Sequence, residues 1–215
     1  MNGDVTSVLS ARSRSATIAF TCIAAWLGAA ASTGPLGIWP AIGGIAVALG
    51  VVVVWFDRRR AAMLLQPSQR LVLFGFGAGG LMAAATYALY PLLARIVPFI
   101  ATDTAHLYAA FRAPSLSIAA VALVPVILGE ELVWRGVVQT AIVERLGTRQ
   151  AVVLAAAVYA LVHAPLGSPL LVAVAFFCGL AWGGLRAVTA SLVPSLVAHL
   201  LWDGLVLLWL PLGTG

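Results

Sequence analysis

Three short segments hold the acids and histidines that fall within the long apolar stretches of this chain: Glu130-Glu131-Leu132-Val133-Trp134-Arg135, Tyr159-Ala160-Leu161-Val162-His163 and His199-Leu200-Leu201-Trp202-Asp203. All three lie inside long apolar stretches. A charge near the centre of a bilayer costs on the order of 2.5–3.5 kcal/mol before a partner compensates it. Residues kept at that cost are candidates for function, and the alternative is a structural ion pair that fixes helix packing. The spacing favours function. Glu131 and Arg135 are four residues apart, so on a helix they share a face and can pair. Glu130 is turned about 100° away and stays free to face a cavity. His199 and Asp203 repeat the four-residue spacing, so the carboxylate can orient or charge the imidazole, and Tyr159 and His163 repeat it on another helix.

That set suits hydrolysis. A carboxylate in apolar surroundings holds a proton more tightly than an exposed one and can act as general base on water. Histidines beside it can position the water or donate to the oxyanion formed at a carbonyl. One Glu and two His could also hold a zinc ion, although no HExxH helix is present, and no cofactor is the preferred reading. Depth is compatible with convergence. Glu130 lies 17 residues before Gly147, His163 lies 14 after Arg149, and His199 lies 12 after Ala187. At 1.5 Å per residue these are roughly 25, 21 and 18 Å from turns on one side of the chain's fold.

The elements that must position these groups are membrane spans. The chain is 62% hydrophobic and only 9% charged, with a mean hydropathy of +1.06. A soluble domain carries about 25% charged residues, so water is not the main solvent here. Apolar stretches of membrane-crossing length recur over 16–32, 37–56, 71–97, 115–143, 149–165, 168–185 and 188–210. The expected fold is an all-α polytopic helical bundle of about seven transmembrane helices, six to eight, with an eighth if the third or last stretch divides at Pro91 or Pro211. Residues 1–215 form one membrane domain in this reading.

The net charge of +5 comes entirely from arginines on the basic side. In the seven-span arrangement nine of them, at positions 12, 14, 58, 59, 60, 70, 145, 149 and 186, fall on one side, whereas Arg95 and Arg112 fall on the other. This bias places the N-terminus in the cytoplasm. It also accounts for the high pI without nucleic acid as a partner. Arg12 and Arg14 before an apolar run mimic a signal peptide, but with many spans following, an uncleaved first helix is the simpler account. Segment 98–114, with Asp103, His106, Tyr108 and Arg112, reads as an interfacial loop or short surface helix. Gly75, Gly77, Gly79, Gly80, Gly179 and Gly183 are expected to allow close helix packing, and Cys22 and Cys178 to be packing residues.

Glu130-Glu131-x-x-x-Arg135, with Gly136 following, resembles the EExxxR motif of the CAAX-protease and bacteriocin-processing family of intramembrane peptidases. Tyr159-x-x-x-His163 is similar to its second motif, an aromatic residue four before a histidine, and His199-x-x-x-Asp203 to its third, HxxxN. The likeness covers roughly residues 115–205. It implies a membrane-embedded glutamic endopeptidase in which Glu130 activates water with His163, Glu131, Arg135 and Tyr159 support the site, and His199 with Asp203 stabilises the oxyanion. Tyr159 replaces the more usual Phe, and Asp203 stands where eukaryotic members have Asn. Since an ionised Asp203 would repel an oxyanion, its expected role is to hold His199 as a cation.

The implied substrate is a membrane-associated protein or peptide, in the cytoplasmic membrane of a prokaryote, with the lipid bilayer as the other partner. Two other functions use the same polar cavity: a non-catalytic binding or regulatory protein of the immunity type, and a proton- or ion-coupled carrier. A carrier would show repeated, broken-helix halves, and none is evident in the sequence.

Overall fold

The computed structural model describes residues 2–112 and 115–213, with side chains from Ser13 onward, so the side chain of Arg12 and residues 113–114 lie outside it. The regular elements it describes are helical, and no strand occurs among the described residues. The longer ones, in order, are α1 (Asn2–Ala31), α2 (Trp39–Phe56), α3 (Gln69–Ile96), α4 (Pro98–Ala110), α5 (Leu116–Leu146), α6 (Thr148–Leu161), α7 (Pro169–Thr189) and α8 (Val193–Trp209), with short helical segments at Thr33–Leu36, Arg58–Leu64 and Ala164–Leu166 between them. By length and composition six segments can cross a membrane: all but α4 and the shorter α8, with α6 extended to Leu166. The third span continues through Pro91 without dividing.

The helix ends follow from local chemistry. Ser68, Ser115 and Ser168 accept hydrogen bonds from the backbone N–H of Leu71, Ile118 and Leu171 at 3.3, 3.2 and 3.0 Å, which satisfies donors that a helix start leaves orphaned. Gly147, with φ +85°, makes the left-handed turn that separates α5 from α6.

Outward-facing positions are apolar and inward-facing ones are partly charged. Trp55 and Phe177 are 82% and 68% exposed, whereas Glu131 is fully buried. In water that inversion would be unfavourable. In hydrocarbon it is the stable arrangement, because lipid solvates the apolar surface and only protein can solvate the ions. The chain is an integral membrane protein.

Glycines set the closest helix contacts. A Cβ at Gly75 would lie 2.8 Å from the Pro194 carbonyl oxygen, and one at Gly79 would lie 2.9 Å from Ala198 Cα, so these two positions seat α3 on α8. Gly77 and Gly80 meet nothing within 4 Å and take no part in packing, contrary to the sequence expectation, because only the four-residue pair shares the buried face. Gly179 of α7 would bring a Cβ to 3.1 Å from Ala156 Cα of α6. On the other side of the bundle Gly129 of α5 meets the Ala46 carbonyl of α2, leaving no room for a side chain.

Segment 98–114 contains a helix, α4, tied into the bundle at both ends. Asp103 is buried; its carboxylate accepts the Ser168 hydroxyl at 2.6 Å and the Leu170 N–H at 3.1 Å, so it secures the start of α7. The Tyr108 hydroxyl donates to the Val206 carbonyl at 2.7 Å and accepts the Leu212 N–H at 2.9 Å. His106 is exposed. Cys22 and Cys178 are buried free thiols.

Gly129→Ala should lower stability by about 1–3 kcal/mol, since backbone must move to admit the methyl group. Gly77→Ala should leave stability unchanged or raise it slightly. Unfolding curves of the two variants in one detergent test this, and equal midpoints would contradict the assigned packing.

Candidate active site

The site begins where α5 changes pitch. Its α-helical turns run to Glu131, and Leu132–Val138 then form a π-helical stretch before α-helix resumes. Such widened turns recur at functional sites. A second π-helical stretch, Gly204–Trp209, follows Asp203 in α8. The pitch therefore changes within the first motif, directly after Glu131, and at the end of the third, directly after Asp203.

Glu131 is the electrostatic centre. Its Oε1 lies 3.2 Å from Arg135 Nη1 and 3.0 Å from His199 Nδ1, with all three residues buried. The Arg135 guanidinium carbon lies 4.7 Å from the Tyr159 ring centroid and 5.1 Å from that of Trp182, so two aromatic faces supplement the carboxylate. On its other nitrogen His199 meets Asp203, with Nε2 to Oδ2 at 3.6 Å. The Nδ1 contact has hydrogen-bond length and fixes the ring, whereas 3.6 Å is too long for a hydrogen bond and leaves the Nε2–H free to donate elsewhere. Trp182 stacks on the imidazole at 3.6 Å and 19°, preventing it from tipping.

Glu130 has the opposite surroundings. Its Oε2 accepts the Tyr159 hydroxyl at 2.8 Å, and it forms no ion pair among the described residues. The 100° offset expected from the sequence is realised: Glu131 turns into the protein and Glu130 turns into a cavity.

His163 departs from expectation. From the sequence it shares a helix with Tyr159, but α6 ends at Leu161 and His163 stands in the turn that leads into Ala164–Leu166. Pro165 is the physical reason, because it has no N–H to bond the Leu161 carbonyl four residues back and its ring clashes with that carbonyl. The turn places His163 Nδ1 at 2.6 Å from the Tyr159 carbonyl oxygen. A carbonyl only accepts, so Nδ1 carries the hydrogen and Nε2 keeps its lone pair.

Glu130, Tyr159, His163, His199 and Asp203 line one end of a cavity of about 520 Å³. Its walls elsewhere are mainly apolar and come from α3, α4 and α7, with Leu93, Leu107 and Leu170 among them. Glu131 and Arg135 do not line it. The structure thus gathers all seven residues singled out in the sequence, in two layers: five at the cavity and an ion pair behind them.

Four aromatic residues of the site carried no signal in the sequence beyond being tryptophans. Trp182 stacks on His199, Trp134 meets Tyr159 edge-on at 5.3 Å, Trp26 meets Trp134 at 5.3 Å, and Trp202 packs 6.3 Å from Trp182. Trp26 comes from α1, so the first helix contributes to a site whose motifs all lie more than 90 residues later.

The donor set can be tested against a metal. Among the described residues no three His, Cys, Asp or Glu side chains are grouped to hold a metal ion. His199 already directs one nitrogen to Glu131 and the other toward Asp203.

Glu131→Gln should destabilise the protein by about 3 kcal/mol, because it leaves the buried Arg135 without its counter-ion. Glu130→Gln should cost less, about 1 kcal/mol, since the amide oxygen can still accept the Tyr159 hydroxyl. Reversible unfolding in detergent distinguishes the two. A larger loss for the Glu130 variant would reverse the assigned roles.

Residues 112–205 match a family model described as type II CAAX prenyl endopeptidase Rce1-like. The match runs from just before α5 to just beyond Asp203 and so includes all three motifs. No curated protein and no solved structure matches the chain.

Proposed function

Because residues 112–205 match the model of Rce1-like type II CAAX prenyl endopeptidases, we propose that this chain is an intramembrane glutamic endopeptidase that cuts a membrane-associated protein or peptide. The observation that carries this reading is the unequal treatment of two adjacent acids. Glu131 is paired with Arg135 and His199, whereas Glu130 forms no ion pair among the described residues and faces the cavity.

In this mechanism Glu130 takes a proton from a water molecule that also donates to the free Nε2 of His163. The resulting hydroxide attacks the scissile carbonyl carbon. The negative charge that develops on oxygen is met by the Nε2–H of His199, held as a cation between Glu131 and Asp203. Glu130 then passes its proton to the leaving nitrogen, the C–N bond breaks, and a carboxylate and an amine result. Tyr159 holds the Glu130 carboxylate through its hydroxyl and His163 through its carbonyl, so one residue aligns both partners of the water. The reaction as written uses no metal. The N-terminus faces the cytoplasm, as the arginine bias favours.

Glu130→Gln keeps size and polarity but removes the base, so proteolysis should fall by at least about 100-fold. The measurement compares protein termini in membranes of cells expressing the wild type or the variant at equal levels. Termini present only with the wild type identify substrate and cut site together. Identical termini, with the variant still rescuing a deletion phenotype, would favour a binding or regulatory protein of the immunity type instead.

The role given to Asp203 orders a second pair of variants. Asp203→Asn should retain part of the activity, because the ring stays fixed by Glu131, while His199→Ala should retain very little. The reverse order in a cleavage assay would overturn the oxyanion assignment.

A further inference from the structure

A second recess shares no lining residue with the cavity. It is a groove of about 530 Å³ between α2 and α5. Its floor is the contact of Gly50 with Gly129, where neither residue has room for a side chain. One wall is a stripe of Val47, Val51 and Val54 at helical spacing, facing Leu128 and Leu132 across the gap. At the end of the stripe, just past α2, the groove is closed by Arg58.

Three features specify what this groove takes. The first is length: from Val47 to the end of α2 at Phe56 is nine residues, or about 14 Å, close to half of a hydrocarbon core of roughly 30 Å. The groove is therefore about one leaflet deep. The second is polarity, because Arg58 is the only charged or strongly polar residue lining it. The third is unmatched charge. Arg58, Arg59 and Arg60 form no ion pair among the described residues, since the carboxylate beside them, Asp57, is occupied in capping the Arg60 N–H at 3.1 Å. Arg186 lies close enough to feel the charge of Arg60 and adds to the same positive field.

We propose that this groove is a binding site for one anionic glycerophospholipid, with an acyl chain along the α2–α5 trough and the phosphate head group on Arg58. A zwitterionic phospholipid supplies the same chain but places a cation beside three unpaired guanidinium groups. A transmembrane helix from a protein partner fits less well, because it would have to cross past Arg58 rather than end there. The site is separate from the peptidase reading and stands whether or not the chain cleaves peptides.

The test is native mass spectrometry of the full-length chain, delipidated in detergent and offered equal amounts of phosphatidylglycerol and phosphatidylcholine with identical acyl chains. The wild type should retain one phosphatidylglycerol with a preference of at least about fivefold, the factor that one arginine near an anionic head group confers. Arg58→Glu should abolish the preference. Val51→Trp, which fills the trough and leaves Arg58 in place, should abolish retention of both lipids. Arg149→Glu, a charge change on the arginine-rich side away from the groove, should leave the preference intact. Melting temperatures equal to wild type confirm that each variant is folded. Equal retention of the two lipids, a preference that survives Arg58→Glu, or an equal loss in Arg149→Glu would each overturn the proposal. Retention unchanged by Val51→Trp would also overturn it.

Discussion

Glu131, Arg135 and His199 meet in the interior of a bundle surrounded by lipid, and the rest of the site depends on how their charges cancel. An ion in hydrocarbon has no water to fall back on, so its partners must come from the protein, at distances of about 3 Å and with fixed orientation. Here the partners come from two helices, α5 and α8. The contact of Glu131 with His199 therefore fixes the axial register of one helix on the other. Sliding either helix by one turn would separate these groups by about 5.4 Å and leave charge uncompensated.

Once that register is fixed, the neighbouring acid has its position decided for it. Glu130 does not pair directly with the cations of Glu131, because one residue of helix rotates it onto another face. It meets a tyrosine hydroxyl and a cavity instead. Two carboxylates adjacent in sequence thus come to differ in surroundings, one in a buried ion pair and the other at the cavity. The aromatic shell sharpens this difference. Trp182 and Tyr159 lie against Arg135, and Trp182 also holds the His199 ring flat, so the cation and the imidazole are packed as well as paired.

Small residues make this packing possible. Gly75 and Gly79 let α3 approach α8 closely behind the histidine helix, and Gly50 with Gly129 does the same between α2 and α5 behind the glutamates. Hydrophobic attraction cannot hold helices together in a lipid solvent, so close van der Waals contact and internal polar bonds must do so. The site and the scaffold consequently use the same helices. The cavity is walled by residues of α3, α4 and α7 that are mainly apolar, so its carboxylates and imidazoles are those of the site.

How much of this was legible beforehand follows from the range of each interaction. Hydropathy alone located the membrane-crossing stretches, because a bilayer demands about 20 apolar residues wherever a helix crosses it. The four-residue spacings of Glu131 with Arg135 and of His199 with Asp203 predicted pairs that the structure contains, since helical geometry fixes such neighbours locally. The same logic failed for His163, where Pro165 ended the helix early, and for Gly77 and Gly80, which lie on the wrong face. Nothing local could show that His199 binds Glu131 across 68 residues, that Trp26 of the first helix reaches the site, or that Asp103 secures the start of α7. Those contacts depend on which helices become neighbours. That is decided by charge cancellation and close packing over the whole bundle, and no single stretch of sequence contains it.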